Sequence, residues 1–325
     1  MTAQTGVTAA LRRERVRVVS ATVLRKLLSG VVVLWAAVTL TFFSVHLAPG
    51  DPVTLLMGEN ITPEFRAAVI ADWQLDQPLW QQYLSHLLRI ASGDLGTSFV
   101  QQQPVNAVLG ARLWPTVALT AAAVVVAVGL AVAGALLTAG RPRWMVALPS
   151  TLELVLASVP SFWLGILLLT AFSFQFALFP VAGTEGVRAL VLPALTLALP
   201  LAAVLSQVMR GGLERALEQP FAVTARSRGV SPWEVRTRHG LRHSLLPAVT
   251  LTGWAVGGLL NGTVITEQVF GRPGLGQATV QAVTQQDIPV VLAVVLLSVV
   301  FYVVVSTVVD LLYLLVDPRL RRSGT

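Results

Sequence analysis

The chain has 325 residues, 54% of them hydrophobic and only 12% charged, with a mean hydropathy of +0.72. A water-soluble domain carries about 25% charged residues, so a soluble fold is excluded. The formal net charge is +7, and the absence of cysteine excludes disulfides, thiolate zinc sites, iron–sulfur clusters and a lipidated N-terminal cysteine.

Taken in chain order, six apolar segments are long enough to cross a bilayer, at 26–47, 113–139, 148–178, 189–209, 248–267 and 288–315. The chain is therefore expected to be an all-α polytopic membrane protein with six transmembrane helices. The first segment is read as a retained span rather than a cleaved signal, because it is longer than a signal's apolar run and no small-x-small site follows it. The third is unusual. Its only charged residue is Glu153, and Pro149, Pro160 and Pro180 punctuate it. A short interfacial helix near 145–158 followed by the span proper fits this pattern, with Glu153 near the cytoplasmic interface. The fourth carries Pro193 and Pro200 and is expected to kink.

The fifth span holds two small-xxx-small pairs, Gly253/Gly257 and Gly258/Gly262, where helix backbones can approach closely. Close packing is the default reading of these glycines. The sharper one is a translocation pathway lined by bare backbone, with Ser161, Gly257, Gly258, Asn261 and Glu267 as candidate residues.

Six spans put both termini on one side. Eighteen of the 23 basic residues fall on that side, and only Arg66, Arg89, Arg112, Arg188 and Arg272 fall on the other. The positive-inside rule makes the crowded side cytoplasmic. The charge excess is topological and requires no nucleic-acid partner. The domain plan is then a cytoplasmic tail 1–25, a first transmembrane helix 26–47, an extracytoplasmic helical insert 48–112, a five-helix transmembrane core 113–315 with a cytoplasmic loop 210–247, and a cytoplasmic tail 316–325.

In the insert, the run TPE at 62–64 marks a helix start, with a hydroxyl cap, a proline in the first turn and an acid near the dipole. Trp80, Tyr83, Leu84, Leu87, Leu88 and Ala91 form one apolar stripe at helical spacing, and Gly93 can end that helix. The stripe is expected to pack over the outer ends of the spans; a platform for an outer partner is the alternative. The NIT run at 60–62 and the NGT run at 261–263 match the glycosylation pattern only by chance frequency.

The loop reads FAVTARSRGVSPWEVRTRHGLRHSLLP over 221–247. Pro220 can start a helix that Gly229 ends in a left-handed cap. Ser231, Pro232 and Glu234 form a capping box for a second helix, and Pro247 opens the fifth span. Ala225 and Gly229 leave one face nearly bare, ringed by arginines. Lipid headgroups could account for the arginines, but not for the double capping or the bare face. His239 and His243 have the spacing of a helical metal pair, but neighbouring arginines disfavour a divalent cation and no carboxylate or cysteine completes a set.

This loop resembles the cytoplasmic coupling ("EAA") loop of ABC importer permeases of the dipeptide/oligopeptide/nickel family, in TARSRG at 224–229 and RHGLRHSLLP at 238–247. Val223 stands where the generic motif has glutamate, and Gly240 stands where the family commonly has alanine. APGDP at 48–52, LDQP at 75–78, QY at 82–83, GDLG at 93–96, VPSFWLG at 159–165, VF at 269–270, PGLG at 273–276 and DPR at 317–319 extend the resemblance over nearly the whole chain.

The resemblance implies a type I importer permease fold and a non-catalytic subunit. It implies that Val223, Thr224, Ala225, Arg226, Arg228, Gly229, Arg238 and Leu241 engage a cytoplasmic ATPase. The implied partners are a second, related permease chain forming a heterodimer, two ATPase domains that carry the ATP and Mg²⁺, and an external substrate-binding protein. No cofactor and no metal are expected in this chain. The implied substrate is a di- or oligopeptide, with nickel or glutathione as alternatives.

The residues agree with that division of labour. A phosphate-binding loop needs a lysine, and the only lysine, Lys26, follows no glycine-rich turn. The rival from another class is an ion-coupled secondary transporter, which needs ionisable groups at mid-membrane; Glu153, Glu267 and Asp310 are placed near span ends. A membrane scaffold whose loop binds a partner without ATP-driven cycling is a second rival.

Overall fold

The computed structural model describes residues 2–47, 53, 62–98, 100–184 and 186–316. The APGDP motif, the asparagine of the NIT run and the DPR motif lie outside them. Helix α1 spans Thr2–Leu47, α2 Pro63–Trp73 and α3 Leu79–Ala91. A two-residue antiparallel ladder, β1 Thr97–Ser98 on β2 Gln103–Pro104, precedes α4 Val105–Thr138. Then follow α5 Arg143–Ser158, α6 Ser161–Leu169, α7 Arg188–Leu217, α8 Pro220–Ser227, α9 Pro232–Glu234, α10 Leu241–Val269, α11 Leu275–Thr284 and α12 Ile288–Val316.

Among the described residues four helices are long and apolar enough to cross a membrane, with windows Leu24–Leu47, Val105–Thr138, Arg188–Leu217 and Ile288–Val309. The third apolar segment is not one helix over 148–178: it breaks at Pro160, and α5, Arg143–Ser158, stands where the short helix near 145–158 was expected. Helix α5 and the segment Ser161–Gln175 meet at a bend of 107° and together make a fifth candidate. The cause is local: Val159 is extended, Pro160 has no amide hydrogen to continue the ladder, and α6 ends in a π-helical turn at Thr170–Gln175. Helix α10 occupies the place of the expected fifth span. Helix α7 stays continuous through Pro193 and Pro200.

The chain forms two compact units. One holds Ala21–Thr116 and Pro273–Val304. Its core gathers Val105 and Leu109 of α4, Ala282 of α11, and Val290 and Ala293 of α12. A second cluster joins Val45, Val53 and Val69. The Ser98 hydroxyl donates to Asp287 Oδ2 at 2.5 Å with both residues buried, which pins the ladder to the start of α12. Gly93 sits at φ +82°; Gly93 N donates to the Ile90 carbonyl and Asp94 N to the Arg89 carbonyl, so α3 ends in a Schellman motif as expected.

The stripe on α3 packs inward only along one edge, where Tyr83 and Leu87 are half-buried. Trp80, Leu84 and Leu88 are exposed, while Gln82 is buried. The docked face is fixed by polar contacts: Gln82 contacts His46, and Tyr83, at the edge of the stripe, meets Thr39 through its hydroxyl at 2.7 Å.

The other unit holds Val117–Arg272 with both chain ends. Ala123, Ala127, Ala131 and Ala135 recur every fourth residue along α4, Ala139 follows just past its end, and all are fully buried. This bare ridge receives Ala198, Ala202, Leu205 and Met209 of α7. Glycine serves the same purpose on α10. A β-carbon on Gly253 would come within 2.5 Å of Val309, and one on Gly262 within 3.0 Å of Leu197, which supports the packing reading at these two positions.

Candidate functional site

The loop after α7 is a rigid, capped object. Helix α8 starts with Pro220 at its first turn. Gly229, at φ +81°, closes it: Gly229 N donates to the Arg226 carbonyl and Val230 N to the Ala225 carbonyl. Ser231 Oγ accepts from Glu234 N at 3.2 Å. The Glu234 carboxylate accepts from Arg238 Nη1 at 3.2 Å. Beyond this turn the chain differs from the expectation of a second short helix. A π-helical turn, Val235–Gly240, feeds α9 into α10, which begins at Leu241, ahead of Pro247. The turn is possible because Gly240 is buried against α7, where a β-carbon would lie 2.4 Å from Leu213 Cδ1.

The candidate coupling residues divide into two groups. Val223, Thr224, Arg226, Arg228, Gly229 and Arg238 are exposed, and Ala225 is half-buried. Nothing stands within 4 Å of where a Gly229 β-carbon would be. Arg226 is held on the surface, with Nη2 donating to the Leu217 carbonyl at 2.7 Å and Nε to the Ala222 carbonyl at 3.2 Å. Leu241 differs: it packs against the core clusters around Met209 and Leu213, so it supports the surface from beneath and does not form part of it. His243 stacks on Phe221 with ring centroids 5.1 Å apart and accepts from Arg242 Nε, a structural task for a ring whose spacing had raised the metal question.

Arg236 was legible only as a positive charge. In the structure it is buried, and its Nη1 donates to the Leu136 carbonyl at the end of α4, 3.1 Å away. Burial and the nearby Arg141 hold its pKa below the ordinary arginine value. It ties the capped turn to α4. A cleft of about 410 Å³ opens beside it, lined by Gly140, Glu214, Leu217, Glu218, Arg226, Pro232, Val235 and Arg236.

The candidate pathway residues do not share one environment. Gly258 and Asn261 are exposed on α10 and continue through Ile265 and Gln268 at helical spacing; Gly257 is half-buried. Ser161 opens α6 and is half-buried. Glu267 is fully buried at the end of α10, and its backbone carbonyl accepts from Arg272 N at 2.9 Å. The structure therefore brings Gly258 and Asn261 onto one open face and leaves Glu267 off it.

A polar node escaped the sequence reading. Glu153 on α5 forms a buried ion pair with Arg210 on α7. Ser206 Oγ donates to Glu153 Oε1 at 2.6 Å, and Arg210 Nη1 donates to Ser150 Oγ at 2.8 Å. Gly134 on α4 makes room: a β-carbon there would lie 2.6 Å from Ser206 Oγ. The signal was present in one charge within an apolar stretch and in the first arginine after α7's apolar run.

Comparison with known proteins follows this geometry. The family model described as "Binding-protein-dependent transport system inner membrane component" matches residues 127–322, and its N-terminal companion matches 20–120. The chain is 36% identical over 301 residues to the glutathione transport system permease protein GsiC of Salmonella typhimurium (strain LT2), covering 92% of this chain and 98% of that one. GsiC of Escherichia coli (strain K12) matches with the same identity and coverage. Among solved structures, an amino acid ABC transporter superposes with a TM-score of 0.50 at 19% identity, over 64% of this chain and 94% of that one. The inward-facing MetNI methionine ABC transporter gives 0.50 at 17%, over 65% and 96%.

These two structures share the fold, that of type I ABC importer permeases. The family supplies the multi-pass inner-membrane subunit of importers that work with a separate ATPase and a substrate-binding protein. The family match extends from the first span to the tail, and the chain belongs to the inner-membrane components of binding-protein-dependent transport systems, as an ABC importer permease of the dipeptide/oligopeptide/nickel/glutathione group.

Proposed function

We propose that this chain is one of two different permease subunits of an importer for short peptides, glutathione among them. The observation that carries the reading is the 36% identity to a glutathione permease over 92% of the chain. The relative's printed substrate is the glutathione named above as an alternative to the di- or oligopeptide expectation, and glutathione is itself a tripeptide. The exposed surface of Val223, Thr224, Ala225, Arg226, Arg228, Gly229 and Arg238 is the docking site for the ATPase, which carries the ATP and Mg²⁺. Support for that role is its construction: a capped helix with an open face at Gly229, bound by Arg236 to the end of α4. The termini lie in the cytoplasm, on the side where basic residues accumulate. Gly258 and Asn261, on the open face of α10, line the pathway.

The test is uptake by proteoliposomes holding the whole transporter and its binding protein, with ATP and no ion gradient. Labelled glutathione and a labelled tripeptide should accumulate, and nickel should not. Uptake of nickel alone, or uptake that needs an ion gradient and ignores ATP, would overturn the reading.

A further inference from the structure

We propose that α3 lies in the outer membrane interface with its apolar stripe against lipid. The helix is amphipathic in the reverse sense to a soluble one. Trp80, Leu84 and Leu88 are 65%, 50% and 64% exposed, and the buried residue is Gln82. Polar bonds fix this orientation. Gln82 Nε2 donates to the Gln77 carbonyl at 2.8 Å, and its Oε1 lies 2.9 Å from His46 Nε2. Tyr83 bonds Thr39, Ser85 donates to Gln74, and Arg89 pairs with Asp94. Rolling the stripe inward would break the Gln82–His46 and Tyr83–Thr39 contacts to α1.

Depth identifies what covers the stripe. The partners of α3 on α1 include Thr39, Phe42, Phe43 and His46, all inside the apolar window Leu24–Leu47. At about 1.5 Å per residue, Thr39 lies roughly 12 Å along the helix from Leu47. On its other side α3 shares a cavity with Leu292 and Leu296, in the first turns of the window Ile288–Val309. So α3 is level with the outer turns of two spans, not above them. A soluble partner cannot reach that level without entering the bilayer. Leu40 and Leu47 on α1 are also exposed there, at 72% and 79%. The one charged side chain of α3, Arg89, is engaged with Asp94, so nothing charged interrupts the stripe. Tryptophan at the end of such a helix suits the headgroup boundary.

The absence of cysteine gives a clean test. Trp80→Cys, Leu84→Cys and Leu88→Cys are made singly in the intact transporter, spin-labelled and reconstituted in lipid nanodiscs, with the spectrum of the unsubstituted transporter subtracted. Leu40→Cys serves as the lipid-facing reference. At Leu84 and Leu88 oxygen, which concentrates in hydrocarbon, should collide with the label severalfold more often than a water-soluble nickel chelate, with a smaller excess at Trp80 nearer the headgroups. Equal access by both would place the stripe in water and overturn the proposal. Exclusion of both would show a protein surface over it, the second permease chain included, and would overturn it equally.

Discussion

Glu153 of α5 and Arg210 of α7 form a buried ion pair that fastens one arm of a broken span to the helix leading directly into the capped loop at 220–240. Their neighbours complete it: Ser206 bonds the carboxylate and Ser150 accepts from the guanidinium. Removing one charge strands the other in a low-dielectric site, which typically costs about 3–5 kcal/mol. Glu153→Gln should therefore lower the thermal stability of the purified transporter sharply. The double variant Glu153→Leu with Arg210→Met should recover most of that loss, since a well-packed apolar pair avoids desolvation. A double variant as unstable as Glu153→Gln would show that the pair acts by more than charge balance.

Gly134 tests the same node from α4. A β-carbon there would approach Ser206 Oγ to 2.6 Å, and inserted bulk in a packed interior costs about 1–3 kcal/mol. Gly134→Ala should lower the melting temperature, and pairing it with Ser206→Ala should restore part of the loss. Melting curves of the two variants in detergent decide this.

Arg236 links the capped turn to Leu136 by a buried charged hydrogen bond, an interaction worth about 1.5–3 kcal/mol. Arg236→Ala should leave ATP hydrolysis by the assembled transporter largely intact while uptake falls, because the docking surface stays but its tie to α4 is cut. Parallel ATPase and uptake assays separate the two. A proportional loss of both would make Arg236 a folding residue only.

Gly229 sits at φ +81° with open space around it. A β-carbon there meets no neighbour, so the penalty of Gly229→Ala is conformational, about 1–2 kcal/mol. Gly229→Asn should be milder, because asparagine tolerates that region. Gly229→Arg adds bulk on the open face and should abolish co-purification of the ATPase. Normal recovery of the ATPase with Gly229→Arg would remove the docking role assigned to this surface.

Much of the architecture was legible because bilayer thickness imposes a length on apolar runs, and because Pro, Gly and Ser at helix ends act through local geometry alone. Gly229, Gly93 and Ser231 behave as their chemistry dictates. What was not legible depends on neighbours remote in the chain. The α3 stripe was read as inward-facing on the logic of soluble helices, yet in a membrane protein the apolar face need not seek the interior. Leu241 carries a motif position but packs inward, because the π-helical turn rotates the start of α10 towards α7. Arg236 and Glu153 acquire their roles only from partners about a hundred and about fifty residues away.

The alanine ridge on α4 has a mechanical consequence. With methyl groups alone at every fourth contact, α4 and α7 have no rotamers to exchange there, so their separation is set by the close approach of the two backbones. With the ATPase docked at α8 as proposed, the proline break between α5 and α6 is the joint expected to bend. Spin labels on α4 and α7 should keep a constant separation through the ATP cycle, while labels across Pro160 should change theirs.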